Sequence, residues 1–442
     1  MVGAKQLFGF LNRRKKFRDY IAVGNYDMTF MFLVIALLCF GLVMLFSASY
    51  VSSMHEQNPD RIVNFIMNAV NRISSKNFTE SDFYPYTIII KQAIFAAAGF
   101  VLMLIVSKIR FDVFKDFAVL TVLISFILLV VVLFKHVQLT GRGDIARAIN
   151  IPFLGQFQPS ELAKLGLIMF CAWDISRRQK QIEKSPKLLF TCILVITLMC
   201  GLVLAGSHLS GTILIFCIGA AMLFLSGTKI RWFVAGGIVL LIIAAAGVFG
   251  MWLIINRPEE ARKFLPERIV ALGTVTNKTP YMLIRIIAWL NKNYDPMDAR
   301  WQINQSLYAI SSGGFFGKGL GESIQKYLFL SESKNDFIFA IICEELGFVG
   351  AFAVIVLFSL LIWRGFVIAV KNKDRFSSLL VMGIVFQVGL QAVLHIAVVT
   401  DTIPNTGISL PFFSAGGSAM LILFVEMGMV LSVSRYSKMR KS

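Results

Sequence analysis

Residues 28–50 read MTFMFLVIALLCFGLVMLFSASY, a run without one Asp, Glu, Lys or Arg. A helix rises about 1.5 Å per residue, so about 20 apolar residues cross a hydrocarbon core about 30 Å thick, and helical hydrogen bonding satisfies the backbone where water is absent. The stretch therefore reads as a membrane span. Working outward from it, nine further apolar runs lie near 86–108, 115–135, 160–175, 188–206, 211–227, 232–255, 337–363, 377–400 and 414–434, the run at 160–175 being short. Composition agrees, since 57% of the 442 residues are hydrophobic, only 15% are charged and 40 are Phe, which is too apolar for a soluble chain of this size. The expected fold is all-α: a polytopic integral membrane protein of about ten transmembrane helices.

Orientation follows from Lys and Arg, which short cytoplasmic loops retain. With the N-terminus inside, the inside segments hold 24 of these residues and the short outside loops 6. Both termini are expected in the cytoplasm. The long segment 256–336 carries 11 more, and loops longer than about 60 residues escape the rule. The organisation is then a basic cytoplasmic tail (1–27), spans one to seven (28–255), an extracytoplasmic loop (256–336), spans eight to ten (337–434) and a second tail (435–442), all one membrane domain. The net charge of +18 is spread over the cytoplasmic segments beside an anionic leaflet, which points to membrane anchoring and not to nucleic acid. The basic run Arg13, Arg14, Lys15, Lys16 and Arg18 lies too far before the first span for a cleaved signal and reads as a retained tail. The six cysteines fall inside apolar spans without metal spacing, so they read as packing residues.

Ionisable groups inside spans are expensive and tend to mark function. The fourth span opens Gln158-Pro159-Ser160-Glu161-Leu162-Ala163-Lys164. Pro159 suits a first helical turn, Glu161 suits a helix N-terminus, and the three-residue spacing lets Glu161 and Lys164 neutralise each other. A structural ion pair and a substrate contact fit equally well. Glu344 and Glu345 sit in the eighth span, where adjacent positions point about 100° apart, so at most one faces any single partner. Glu426, His208 and His395 read as satisfied packing groups. Within 256–336, Tyr281–Leu290 (YMLIRIIAWL) reads as an amphipathic or re-entrant helix. Asp295-Pro296, Trp301-Gln302 and Gln305-Ser306 follow, then glycines at 313, 314, 317, 319 and 321 before Lys326, with Glu332 and Asp336 leading into the eighth span. The glycines allow close backbone approach to a ligand, and a hinge or tight turn explains them as well. The last outside element runs Pro404 to Ser418 through Thr406, Ser414, Gly416 and Gly417. It fits either tight helix packing or a helix N-terminus offered to an anion.

At these residues the chain resembles the SEDS family (FtsW, RodA, SpoVE), membrane glycosyltransferases that polymerise bacterial peptidoglycan. Four blocks carry the resemblance: Gln158 to Lys164, Asp295 to Lys326, Asp336 through Glu345 to Gly347, and Pro404 to Ser418. The resemblance implies a reaction at the outer face of the bacterial cytoplasmic membrane. The acceptor hydroxyl of lipid II attacks the anomeric carbon of a lipid-linked nascent glycan, and undecaprenyl pyrophosphate leaves with inversion. It places the catalytic Asp, in the family pattern D-P-x-G-x-G-[WY]-Q, on Asp295. It assigns substrate contacts to Arg147, Gln158, Glu161, Lys164, Gln305, Ser306, Lys326, Glu332, Asp336, Thr406, Ser414, Gly416, Gly417 and Ser418, with Lys326 a candidate for the pyrophosphate and Glu344 and Glu345 as intramembrane groups. It also implies a divalent cation, Mg2+ or Mn2+, with unknown ligands, and a class B penicillin-binding protein as transpeptidase partner. The chain departs from the pattern: Asp298 and Arg300 replace the two glycines, which makes Asp298 a rival base, and Ala148, Ser331, Ala415 and His395 stand at other motif positions. The stretch His208 to Thr212 and the basic tail look more like the FtsW/SpoVE branch than RodA. The alternatives are a lipid II flippase and a non-catalytic division scaffold. A flippase predicts internal repeats and polar sites reachable from both sides, whereas here polar residues gather at the outer span ends.

Overall fold

Runs of Leu, Ile, Val and Phe in a medium without water can satisfy their backbone only as helices. The computed structural model describes residues 24–55, 84–140, 148–151, 155–182, 189–206, 208–227, 281–290, 300–327 and 329–439. Nine of the ten expected spans fall among the described residues, and each is a helix: α1 (Met28–His55), α2 (Thr87–Ser107), α3 (Phe111–Thr140), α4 (Pro159–Ile182), α5 (Phe190–Ala205), α6 (Leu209–Leu225), α9 (Ile338–Lys371), α10 (Arg375–Val399) and α11 (Gly417–Met439). The expected seventh span, 232–255, lies outside the described residues. Two further helices, α7 (Tyr281–Leu290) and α8 (Trp301–Gly313), occupy the long loop, and α7 coincides with the amphipathic segment expected there.

The helix that contains the fourth apolar run extends beyond it. Six helices are long and apolar enough to cross a membrane, and α5 and α6 are shorter apolar helices. Helix α4 runs to Ile182 because Asp174 and Arg178 pair across one turn at 3.0 Å, which lets charged residues continue the helix beyond the apolar run. A two-stranded antiparallel ribbon, β1 (Ile149–Ile151) and β2 (Gly155–Phe157), precedes it and adds a small strand element to the all-α expectation.

The surface is apolar and the interior holds the charges. Phe32, Phe134 and Trp363 are each more than 60% exposed, whereas Glu344, Glu345, His395 and Glu426 are buried. That distribution suits a lipid solvent, in which ionisable groups turn inward to find partners. The chain ends are tied together at the other end of the bundle from the long loop. The Asp27 carboxylate caps α1 through the Phe30 amide at 3.0 Å and takes a bidentate contact from Arg364 at 3.0 and 2.8 Å, while the Asp27 amide donates to Ser434 Oγ at 3.0 Å.

Candidate functional site at the outer end of the bundle

Helices α2, α4, α6 and α11 all begin at one end of the bundle, the end that the Lys and Arg distribution places outside. There they surround a cavity of about 580 Å³ with the 404–416 segment and the approach to α9. Gln158, Glu161, Lys164, Glu332, Asp336, Ser414, Gly416, Gly417 and Ser418 all line it, so the structure gathers most of the sequence-selected residues at one place.

The Glu161–Lys164 pair forms at 2.8 Å, and the Lys164 ammonium, 1% exposed, also donates to Gln391 Oε1 at 2.9 Å. Gln391 in turn donates to Ser409 O at 3.0 Å, which ties α4 through α10 to the outer segment. Also in the cavity wall, Gln387 donates to Glu426 Oε1 at 2.8 Å, and behind the wall the buried His395 Nδ1 lies 2.6 Å from Ile408 O. Glu426 is thus partnered, as expected, and also lines the cavity, whereas the buried His395 is bonded through Nδ1 and leaves Nε2 without a partner, so the expectation of a satisfied packing group holds for it only in part. His208 lies 3.4 Å from the Gln158 amide nitrogen.

The 404–418 segment both packs closely and faces the cavity. Gly416 N–H donates to Gln92 Oε1 at 3.1 Å, and a Cβ on Gly417 would lie 2.5 Å from the Phe95 ring. Gly417 thus serves close packing of α11 on α2, while Gly416, with no contact nearer than 3.6 Å at its Cβ position, leaves the cavity wall open. Ser414 Oγ bridges the Leu410 amide and Asn335 O, both at 2.7 Å, and Ser418 Oγ donates to Gln156 O of β2 at 3.0 Å. Asp336 packs against Gly407.

Other selected residues stand away from the cavity. Lys326 is 4% exposed and donates to Glu345 Oε1 at 3.0 Å and to Ser47 Oγ at 3.1 Å. Glu344, on the other side of the helix, takes Lys318 at 2.7 Å, Ser323 Oγ at 2.5 Å and the amides of Ile324 and Gln325 at 3.1 and 3.3 Å. The two carboxylates face different partners, as their 100° offset requires. Ser306 Oγ donates to Val399 O at 2.8 Å, Gln305 is buried in α8, and Thr406 adjoins the cavity without lining it. Asp295, Asp298 and Arg147 lie outside the described residues.

Sequence reasoning passed over Lys91 and Lys334, two half-buried lysines that line the cavity. Lys91 sits within an apolar span, so the criterion that selected Lys164 would also have selected it. Among the described residues no group of three or more His, Cys, Asp or Glu is close enough together to hold a metal ion.

The profile of the FtsW/RodA/SpoVE cell cycle proteins matches residues 61–439. The chain belongs to this family. A probable peptidoglycan glycosyltransferase FtsW from Geobacter sp. (strain M18) is 32% identical over 93% of this chain and 97% of its own length. Stage V sporulation protein E of Bacillus subtilis (strain 168) is 33% identical over 93% of this chain and 98% of its own. Among solved structures, one described as the structural coordination of polymerization and crosslinking by a peptidoglycan synthase complex aligns with a TM-score of 0.65 at 22% identity, covering 93% of this chain and 98% of that one. The rod shape determining protein RodA of Thermus thermophilus aligns at 0.56 and 23% over the same shares. The fold is therefore that of the FtsW/RodA/SpoVE proteins, a multi-pass bundle of the bacterial cytoplasmic membrane, and both curated relatives are of the FtsW/SpoVE branch.

Proposed function

We propose that this protein polymerises peptidoglycan glycan chains from lipid II at the outer face of the cytoplasmic membrane. The observation that carries the reading is the cavity, because residues of three of the four sequence blocks shared with the family, in 158–164, at Asp336 and in 407–418, line it, and it combines carboxylates with lysines in an otherwise apolar bundle. Asp295 accepts the proton of the lipid II acceptor hydroxyl as its oxygen attacks the anomeric carbon of the lipid-linked glycan. The bond from that carbon to the pyrophosphate oxygen breaks with inversion, and undecaprenyl pyrophosphate departs. Lys91, Lys164 and Lys334 set positive charge where pyrophosphate charge develops, a place better suited to that task than the Lys326 site beside Glu345. Mg2+ or Mn2+ is implied by the family resemblance alone. The reading includes a class B penicillin-binding protein that crosslinks the emerging glycan.

General-base catalysis contributes about 10²–10⁴-fold. Purified Asp295→Asn is therefore expected to fold and to lengthen glycan from labelled lipid II at least about 100-fold more slowly than wild type. Normal polymer from that variant would overturn Asp295 as the base. Transbilayer movement of labelled lipid II by the wild-type protein without any polymer would replace polymerisation with flipping.

A further inference from the structure

Arg300 begins α8 and is 5% exposed. One guanidinium nitrogen donates to Ala288 O in the last turn of α7 at 3.1 Å, and the other meets Asp401 Oδ2 at 2.8 Å. The side chains of the pair are 6% and 9% exposed. Asp401 also accepts Trp289 Nε1 at its carbonyl, at 3.1 Å, so both α7 and α8 converge on this one residue. Its backbone has φ 57°, a left-handed conformation that L side chains seldom adopt.

Two liabilities thus coincide in one turn. A desolvated ion pair contributes little net stability compared with apolar packing, and the left-handed backbone at Asp401 is disfavoured. Neither is explained by the fold's need for stability. What the pair does is geometric: one guanidinium draws the end of α7 to the start of α8 and pins both to the turn after α10. These are the two ends of the 291–299 stretch that carries Asp295. The same turn continues through Asn405, which accepts Arg285 at its carbonyl at 3.1 Å and donates to Gln302 Oε1 at 3.1 Å, into Gly407 on the cavity wall. In the family pattern position 300 is glycine, which offers no such anchor.

We infer that Arg300 and Asp401 are positioning residues that hold both ends of the Asp295 stretch in register with the cavity wall. This inference rests on Asp295 as the base. Displacements of about 1 Å can reduce a rate by about 100-fold. Full-length Asp401→Gly and Arg300→Ala, reconstituted in nanodiscs, are therefore expected to lower kcat for lipid II polymerisation at least about tenfold while KM stays within about twofold. Arg300→Lys, which retains a cation, is expected to recover part of the rate. Glycine adopts φ 57° freely, but Asp401→Gly leaves the buried Arg300 guanidinium without its carboxylate, so both variants are expected to melt lower than wild type and kcat is compared per folded protein. Hydrogen exchange of the amides in 285–290 and 301–305 should accelerate at least about tenfold in both variants, a readout that needs no activity. Wild-type kcat with unchanged exchange, or kcat falling only in step with the melting temperature, overturns the positioning role. Asp295→Asn in the same series separates the two ideas: if it polymerises normally the base is wrong, and exchange alone then decides the clamp. If it is inactive while Asp401→Gly is unimpaired, the clamp fails and the base stands.

Discussion

Glu344 and Glu161 are both carboxylates paired with lysine, yet they are expected to respond differently to substitution. Glu344 is fully buried and gathers an ammonium, a hydroxyl and two amides. Removing one member of such a buried set leaves the others uncompensated, so Glu344→Ala should lose about 3–5 kcal/mol, seen as a lower melting temperature in detergent and reduced recovery of folded protein. Glu161, 14% exposed, adjoins the cavity, and Glu161→Gln keeps an acceptor for Lys164. That variant should melt within about 4 °C of wild type yet polymerise glycan at least about tenfold more slowly. Loss of activity only in proportion to folded protein would assign Glu161 to the scaffold. Reading the sequence alone separated these sites only partly. The spacing of Glu161 and Lys164 within one helical turn announces their pair, whereas Glu345 lies 19 residues from Lys326 and 298 from Ser47, and no local pattern encodes such a meeting.

Among the elements, α9 shows most clearly what the glycine-rich stretch does. Gly347 interrupts the helix with φ 65°, ψ −160°, and a Cβ there would lie 2.3 Å from Gly317 N. A Cβ on Gly317 would lie 2.1 Å from Glu345 O. The exposed carbonyls at the break receive the loop's own amides, Lys318 N–H to Glu344 O at 3.0 Å and Gly319 N–H to Glu345 O at 2.9 Å. At Gly313 and Gly317 the stretch therefore approaches another backbone, and its amides replace the hydrogen bonds that α9 forgoes. Gly347→Ala is expected to abolish recovery of monodisperse protein, because backbone and not a flexible side chain occupies the space. Gly201→Ala, in α5 with nothing within 4 Å, should be neutral or stabilising by up to about 1 kcal/mol. Equal recovery of the two variants on size exclusion would refute the packing argument. Span positions were legible because bilayer thickness imposes length and apolarity together. The reach of helix α4 beyond its apolar run was not legible, because ion pairing, which hydropathy does not register, extends it. The β1–β2 ribbon, three residues per strand, is too brief for any periodic signal.

At the scale of the whole molecule, orientation rests on charge and is open to direct measurement. Glu322, in the segment that leads into α9, and Lys373, just beyond its C-terminus, are both exposed. A membrane-impermeant maleimide should label Glu322→Cys in cells whose cytoplasmic membrane is intact, and Lys373→Cys only after that membrane is permeabilised. The reverse result would invert the topology and carry the cavity to the cytoplasm. The tie between the first helix and the last ones adds a constraint in time. Asp27 and Arg364 are separated by 337 residues and Ser47 and Glu345 by 298, so at about 5–20 residues per second the ribosome needs roughly 15–70 s to deliver the second member of each pair. Throughout that interval α1 resides in the bilayer with its inward contacts unmet. The molecule is thus stitched shut from its last third backward, and a nascent chain halted before Glu345 exposes to lipid, or to whatever chaperone waits there, the very surface that the finished protein hides.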